Sequence, residues 1–173
     1  MTVALVILAT LMGCSQPIAD TPLPTSDVPT VTPIATMAPR PAPDLTVTML
    51  GGEETTLEQW RGQGIILNFW ATWCYPCRAE MPLLAEIDAR YEDVVVVGVN
   101  YLENQESAAS FVREFDIPFP IIVDDKGWLS GDLEIKGLPT TIYINADGQI
   151  VGSKIGPVTE AELEAIIPRL VES

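Results

Sequence analysis

The sequence predicts an α/β fold in which a mixed β-sheet is covered by helices on both faces. Two runs, residues 65–70 and 94–99, are apolar throughout apart from Asn68 and have the length and β-branched content of fully buried strands, and a helical pattern follows each. Later in the chain, Asn145-Ala146-Asp147-Gly148 is typical of a hairpin turn. Helix-linked buried strands followed by a hairpin favour a mixed sheet packed between helices.

The elements before the first buried strand are predicted to be short. Apolar and polar residues alternate over residues 44–50, which predicts a strand, and Gly51-Gly52 favours a turn after it. Residues 55–57 then predict the returning strand of a hairpin. Residues 57–60 favour a helical turn that leads to the strand at 65–70.

The longest predicted helix, residues 74–91, directly follows that strand. Pro82 lies inside it and is expected to kink it, because proline lacks the N–H and clashes with the preceding turn. The strand at 94–99 is followed by a predicted helix capped by Asn104, a strand at 119–123 and a short helix at 128–134. Two more strands are predicted at 141–144 and 149–155. The last predicted helix opens with a capping box at Thr159 and is expected to bend late, at Pro168.

The segment Cys74-Tyr75-Pro76-Cys77 lies where the buried strand ends and the long helix begins. Two thiols three residues apart suit chemistry that makes and breaks a disulfide, although such a pair can also bind a metal. At a helix N-terminus, unpaired backbone N–H groups and the helix dipole favour the thiolate form of a cysteine.

The composition excludes several classes of function. The net charge is −15 with only 9 Lys and Arg, which argues against binding nucleic acid or an anionic membrane surface through charge. The chain has no histidine, so His-based acid–base catalysis, a Ser-His-Asp triad and nearly every catalytic zinc site are excluded. Three cysteines are too few for a scaffold held together by disulfides.

The N-terminal residues predict an export signal and a tether. Residues 3–12 are apolar but too few to cross a bilayer, which takes about 20 residues, and they match the core of a secretory signal. Leu11-Met12-Gly13-Cys14 resembles a bacterial lipobox, which implies a signal peptide at 1–13, cleavage before Cys14 and lipidation of that cysteine. An uncleaved anchor helix is the alternative. Residues 14–43, rich in Pro and Thr, are predicted to be a disordered linker, and residues 44–173 the folded domain.

The longer segment Asn68-Phe69-Trp70-Ala71-Thr72-Trp73-Cys74-x-x-Cys77, followed by Glu80 and Pro82, resembles the TlpA/ResA-type thiol–disulfide oxidoreductases. These are thioredoxin-like proteins of the redoxin, or AhpC/TSA, superfamily. Gly137-Leu138-Pro139-Thr140-Thr141 fits the same family, as do the predicted N-terminal hairpin and the strand and helix inserted within residues 94–123. The resemblance covers about residues 43–171 and implies a thioredoxin-like fold.

The resemblance assigns roles around the cysteines. It implies that Cys74 is the exposed nucleophile, that Cys77 is the buried resolving thiol, and that the two form a redox-active disulfide with no other cofactor. It also implies a cis peptide bond before Pro139. The residues that it places at the substrate-docking surface are Trp73, Tyr75, Pro76, Leu138, Pro139 and Thr140.

Glu80 matches a family glutamate near the disulfide and is a candidate to exchange protons with the thiols or to tune their pKa values. A solvated glutamate on the helix surface is the alternative. Cytoplasmic thioredoxins have a buried acid where this chain has Asn68, and an amide cannot carry a proton in its place. Trp70 is expected in the core rather than at the surface.

We expect a tethered reductant, because the histidine that strong oxidases carry between their cysteines is absent. Its expected partners are disulfide-containing proteins outside the cytoplasm and a thiol-reducing electron donor in a bacterial cell membrane. The resemblance suggests apocytochrome c thiols or copper-site assembly proteins as substrates. Three alternatives remain at this point: a peroxiredoxin-like peroxidase, a non-enzymatic copper- or metal-binding module, and a purely structural disulfide.

Overall fold

The computed structural model describes residues 33–172. A six-stranded sheet has the order β1-β8-β7-β4-β5-β6, and β2 and β3 form a separate hairpin. The strands are β1 Ala35–Pro41, β2 Val47–Thr48, β3 Glu54–Thr55, β4 Gly64–Trp70, β5 Val94–Tyr101, β6 Ile121–Asp124, β7 Thr140–Ile144 and β8 Gln149–Ile155, and the helices are α1 Tyr75–Arg90, α2 Gln105–Glu114, α3 Trp128–Asp132 and α4 Glu160–Val171, with a 3₁₀ turn at Leu57–Trp60.

The sheet is mixed, as predicted. Strands β4, β5 and β6 are parallel, β7 is antiparallel to β4, and β8 is antiparallel to β7. The carboxyl ends of β4, β5, β6 and β8 and the amino end of β7 therefore lie at one edge of the sheet, which is called the carboxyl edge below. The cysteine pair follows β4 at this edge.

The two faces of the sheet have different covers, because side chains alternate along each strand. Ile66 and Trp70 of β4 face a core built with α1, α2 and α4. Leu67 and Phe69 face the second core, which is covered by the hairpin, the 3₁₀ turn and α3. Every residue of β4 is buried, so the strand that leads into the cysteine pair is held from both sides.

The predicted helix starts are confirmed by their caps. The Asn104 side chain accepts a hydrogen bond from the backbone N–H of Ser107 at the start of α2. Thr159 and Glu162 form the reciprocal capping box that begins α4. Pro82 lies inside α1, which remains one helix of 16 residues.

The prediction of a disordered linker up to residue 43 is wrong for residues 35–41, which form β1. This strand pairs antiparallel with β8, with a register irregularity between Thr36 and Arg40 around Pro39. Proline is tolerated on an edge strand, since one side of such a strand makes no ladder. Ile34 and Met37 also pack against the two cores, and this apolar contact was not evident from the Pro- and Thr-rich composition.

The predicted first strand, residues 44–50, is shorter in the structure. Only Val47 and Thr48 pair with β3, while Met49 makes an isolated bridge to Ile122 of β6. The signal peptide, Cys14 and the linker up to residue 32 lie outside the described residues. Among residues 33–172, no helix has both the length and the apolar character needed to cross a membrane.

Candidate active site

Cys74 and Cys77 form a disulfide at the N-terminus of α1, with their Cα atoms 5.3 Å apart. Cys74 is the N-cap residue, and its Sγ accepts a hydrogen bond from the backbone N–H of Cys77 at 3.3 Å. The first turn of α1 thus directs an N–H group and the positive end of the helix dipole at the Cys74 sulfur.

Cys74 is the more accessible cysteine of the pair, but it is less exposed than expected. The exposed fraction is 4% for Cys74 and 0% for Cys77. Cys74 belongs to the apolar core between the sheet and α1, because its N-cap position turns the side chain back over the first turn of the helix. A partner must therefore approach a sulfur that is almost wholly covered, and Cys77 is accessible only after rearrangement.

The residues next to Cys74 in the chain are exposed. Trp73 and Tyr75 are largely exposed and Pro76 is exposed, whereas Trp70 is buried and stacks on Phe111 with ring centroids 4.4 Å apart. The expectations that Trp70 lies in the core and that Trp73 lies at the surface are confirmed.

The loop before β7 lies next to the end of β4. Thr140 pairs with Phe69, so Pro139 lies one residue beyond that pair, beside the connection that leads to Cys74. The Leu138–Pro139 peptide bond is cis, as predicted. Among the described residues, the backbone N–H and C=O groups of Leu138 make no hydrogen bond.

Thr140, which was expected at the docking surface, is buried. Its Oγ1 donates a hydrogen bond to the carbonyl oxygen of Gly137 at 2.7 Å, and its backbone belongs to β7. The hydroxyl group stabilises the loop and does not face outward.

Glu80 is buried with an exposed fraction of 4%, so the interpretation as a solvated surface glutamate is wrong. Its Oε1 accepts a hydrogen bond from Asn68 Nδ2 at 2.9 Å, and its Oε2 accepts one from the backbone N–H of Val158 at 3.1 Å. Burial raises the pKa of Glu80 to about 7, although both hydrogen bonds oppose the increase. Glu80 can therefore exchange a proton near neutral pH.

A groove of about 350 Å³ beside the cysteine pair leads to this carboxyl group. Glu80 lines the groove together with Tyr75, Pro76, Ala79, Leu83, Pro157 and Val158. The lining is mostly apolar, so it offers few polar groups that could stabilise the ionised form.

Sequence reasoning missed a row of buried polar residues, which the register assembles across three strands. Asn68 of β4 pairs with Thr141 of β7, which pairs with Lys154 of β8. Asn68 Nδ2 donates to Thr141 Oγ1 at 3.1 Å, and Lys154 Nζ donates to Glu162 of α4 at 2.6 Å. The sequence showed Asn68 within an otherwise apolar strand, but not that the register would place Thr141 and Lys154 beside it.

Tyr143 lies two residues after Thr141 in β7, on the same face of the sheet. It is fully buried, and its hydroxyl has no hydrogen-bond partner among the described residues. Burial raises the pKa of Tyr143, and the negative charges of Glu162 and Glu80 add to this effect. The phenol is therefore influenced by the carboxylates at both ends of the polar row.

A second network holds the segment before Cys74. The carboxylate of Glu103 accepts hydrogen bonds from the backbone N–H and the hydroxyl of Thr72, at 2.8 and 2.5 Å, and from Asn100 Nδ2 at 2.7 Å. This network ties the cysteine segment to the connection between β5 and α2. No sequence pattern pointed to Glu103, because Thr72, which donates two of its three hydrogen bonds, lies 31 residues earlier in the chain.

Metal ligands do not cluster in the described part of the chain. Within residues 33–172, no group of three or more His, Cys, Asp or Glu side chains is arranged to hold a metal ion.

Comparison with known proteins adds to this geometry. Residues 39–153 match the AhpC/TSA family. The chain is 37% identical over 127 residues to the thioredoxin-like protein YneN of Bacillus subtilis, covering 71% of this chain and 74% of YneN. It is 34% identical over 131 residues to the thiol-disulfide oxidoreductase ResA of Bacillus cereus, covering 75% and 76%.

A solved structure also resembles the chain. A secreted disulfide oxidoreductase of Mycobacterium tuberculosis, described as homologous to E. coli DsbE, superimposes with a TM-score of 0.65 at 26% identity. The match covers 73% of this chain and 96% of that protein. The thioredoxin-like fold expected from the sequence is confirmed by these similarities.

Proposed function

The chain belongs to the AhpC/TSA family, and from that premise we propose that it is a thiol–disulfide oxidoreductase that reduces protein disulfides outside the cytoplasm. The observation that carries this proposal is the Cys74–Cys77 disulfide at the N-terminus of α1, beside a buried carboxyl group and a cis-proline loop. The proposal needs no cofactor other than this disulfide.

In the reduced protein, the Cys74 thiolate attacks one sulfur of a substrate disulfide. A mixed disulfide forms, and the first substrate sulfur leaves as a thiolate and takes up a proton. The Cys77 thiolate then attacks the Cys74 sulfur, which re-forms the Cys74–Cys77 bond and releases the second substrate thiol. Two electrons and two protons pass from the dithiol to the substrate.

Glu80 is the candidate to accept the proton that Cys77 loses in the second step. Its carboxyl group is buried against Val158, which packs in the same core as Cys77, has a pKa raised to about 7 by burial, and lines the groove beside the cysteine pair. A group with such a pKa accepts and returns protons at neutral pH better than an ordinary glutamate does. Asn68 orients it, since the amide donates to Oε1.

The docking of a substrate strand is proposed at Leu138. The backbone groups of this residue make no hydrogen bond within the described chain, and its loop lies next to the end of β4, which leads to Cys74. Trp73, Tyr75 and Pro76 lie exposed beside Cys74. An extended substrate segment can add to these groups as a short β-ladder.

We further propose that the domain works at a bacterial membrane, tethered through lipidated Cys14 and re-reduced by a thiol-reducing membrane donor. The apolar segment at 3–12 and the lipobox-like Leu11–Cys14 support this location, and the similarity to a secreted oxidoreductase agrees with a site outside the cytoplasm. Apocytochrome c thiols and copper-site assembly proteins are the proposed substrate classes.

The proposal can be tested by trapping. Cys77→Ser leaves Cys74 able to attack but removes the thiol that releases the substrate, so mixed disulfides should accumulate in cells. Mass spectrometry then identifies the trapped proteins. The matched control is Cys74→Ser, which retains only the fully buried Cys77 and should trap nothing. Equal capture by both variants, or no capture above background, would refute the proposed reductase.

A further inference from the structure

Large exposed apolar side chains are concentrated at the carboxyl edge of the sheet. They are Trp73 and Tyr75 at the cysteine pair, Leu102 after β5, Trp128 after β6 and Ile155 at the end of β8. Among the described residues, the remaining large exposed apolar side chain, Val171, lies at the end of α4, next to the turn between β7 and β8 at the opposite edge.

Leu102 and Trp128 are neighbours and form what is called here the Leu102–Trp128 patch. They are 52% and 70% exposed. The Leu102 side chain lies so close to Gly127 that a Cβ atom on that glycine would approach Leu102 Cδ2 to 2.8 Å. Gly127 directly precedes Trp128 at the start of α3, so both exposed side chains belong to one surface.

Leu102 combines an exposed side chain with an unfavourable backbone conformation. Leu102 has a φ of 55°, in the left-handed region that favours glycine and disfavours leucine. Core packing does not explain a leucine here, because half of the side chain is in solvent. Strained backbone positions are found preferentially at functional sites.

The patch is continuous with the cysteine site. Glu103, the residue after Leu102, accepts two hydrogen bonds from Thr72, which lies two residues before Cys74. On the other side, Asp124 at the end of β6 accepts hydrogen bonds from the backbone of Leu129 and Ser130 and holds the start of α3 at the same edge. The patch therefore has a defined position relative to the Cys74 sulfur.

We propose that the Leu102–Trp128 patch binds an apolar side chain of the substrate polypeptide, in the segment that flanks the disulfide attacked by Cys74. This inference rests on the proposed function. Two strand spacings separate β4 from β6, which is about 10 Å, and an extended chain advances about 3.3 Å per residue. The bound side chain is therefore about four residues from the substrate cysteine, allowing for the turns beyond each strand.

The test uses the full chain, reduced, with two disulfide-linked peptides of equal charge. One carries phenylalanine four residues before and four residues after its cysteine, and the other carries glycine at both positions. Wild-type protein should reduce the phenylalanine peptide about five-fold faster, which is typical of one buried aromatic contact. The ratio of the two rate constants should fall close to unity in Leu102→Gly and in Trp128→Ala.

Both variants are compatible with the fold. Glycine suits the φ of 55° at residue 102, and Trp128 is mostly exposed. Val171→Ala is the matched control, because Val171 is a 40% exposed apolar residue remote from the carboxyl edge, and the wild-type ratio should persist. A ratio of unity in the wild type, or an unchanged ratio in both patch variants, would overturn the inference.

A second measurement reads the patch directly. The indole N–H signal of Trp128, identified with Trp128→Phe, should shift in the mixed disulfide of Cys77→Ser with the phenylalanine peptide and not with the glycine peptide. If this signal is already shielded from a soluble paramagnetic agent in the free protein, a second copy or the chain's own N-terminal segment covers the patch, and the inference fails. Reduction of neither peptide by the wild type would instead overturn the proposed function, and the inference with it.

Discussion

Glu80 and Glu162 are the carboxyl groups at the two ends of the buried polar row, and they differ in the charge of their hydrogen-bond partners. Glu80 faces the neutral amide of Asn68, and burial raises its pKa to about 7. Glu162 faces the cation of Lys154, and its exposed fraction is larger. Burial alone would raise the pKa of Glu162 as well, but the hydrogen bonds from Lys154 and Thr159 outweigh burial and lower it.

The difference shows that burial and the charge of the partner together set whether a carboxyl group titrates near neutral pH, since Glu80 is both more deeply buried and without a cation among its hydrogen-bond partners. An amide satisfies one oxygen but leaves the negative charge uncompensated. An ammonium group compensates the charge and keeps the carboxylate ionised. Glu80, at the end of the row next to the disulfide, is thus suited to proton exchange. Glu162, at the end in α4, stays ionised and serves to stabilise the fold.

Asn68→Asp should have the largest effect, because it places a second buried carboxyl group against Glu80. Two such groups cannot both ionise, so the variant should lose about 4 kcal/mol of unfolding free energy at pH 8 and much less at pH 5. Urea denaturation at both pH values measures this. Adding Glu80→Gln should restore most of the loss, and an equal loss at both pH values would contradict the explanation.

Lys154→Met should leave the carboxylate of Glu162, at the α4 end of the polar row, without a compensating cation. Glu162 would keep the hydrogen bonds of its capping box but lose its cation, and we expect a loss of about 3 kcal/mol in unfolding free energy. The control is Lys126→Met, which breaks the exposed ion pair with Asp125 and should cost less than about 1 kcal/mol. Similar losses in the two variants would show that the buried pair has no special weight.

Glu80→Gln should remove a pH dependence of stability. The folded-state pKa of Glu80, about 7, is above the ordinary glutamate value of 4.5, so the folded protein binds the proton more tightly than the unfolded chain. This contribution to stability is complete below about pH 4.5 and is lost as the pH rises to about 7. The variant should have a flatter stability profile in that window and be about 3 kcal/mol more stable than expected for the loss of its hydrogen bonds at pH 8. Denaturation from pH 4 to 8 measures the profile, and an unchanged slope would contradict the raised pKa.

Tyr143→Phe should have the smallest effect. The hydroxyl is fully buried without a hydrogen-bond partner in the described chain, so its removal leaves no partner unsatisfied. We expect the variant to be unchanged or up to about 1 kcal/mol more stable. A loss of unfolding free energy well above about 1 kcal/mol would show that the phenol hydrogen-bonds to one of the carboxylates. Glu80 and Glu162 would then belong to one network.

Much of the fold could be predicted from the sequence because its signals are local. The apolar runs at 65–70 and 94–99 became β4 and β5 with small changes of boundary, and the caps at Asn104 and Thr159 are present. By contrast, β1 depends on the free edge of β8, more than a hundred residues later in the chain. A Pro- and Thr-rich segment contains no local sign of that partner.

The candidate site divides in the same way. The Cys74–Cys77 disulfide and the cis bond before Pro139 were implied by the family resemblance, which rests on short motifs, and both are confirmed. The burial of Glu80 was undecided, because position on a helix does not reveal what covers it. Lys154 and Glu103 were missed, since each acts through partners on other elements.

The sequence by itself therefore determined the α/β fold, the position of the disulfide at a helix N-terminus and the residue types available for proton transfer. Spacing along one strand or one helix is sufficient for these, because side-chain direction repeats with a regular period. Only the tertiary structure decided which carboxyl group is buried and what charge faces it. Those properties depend on desolvation and on contacts between distant segments, such as Asn68 with Thr141, and desolvation is what makes Glu80 titrate near neutral pH.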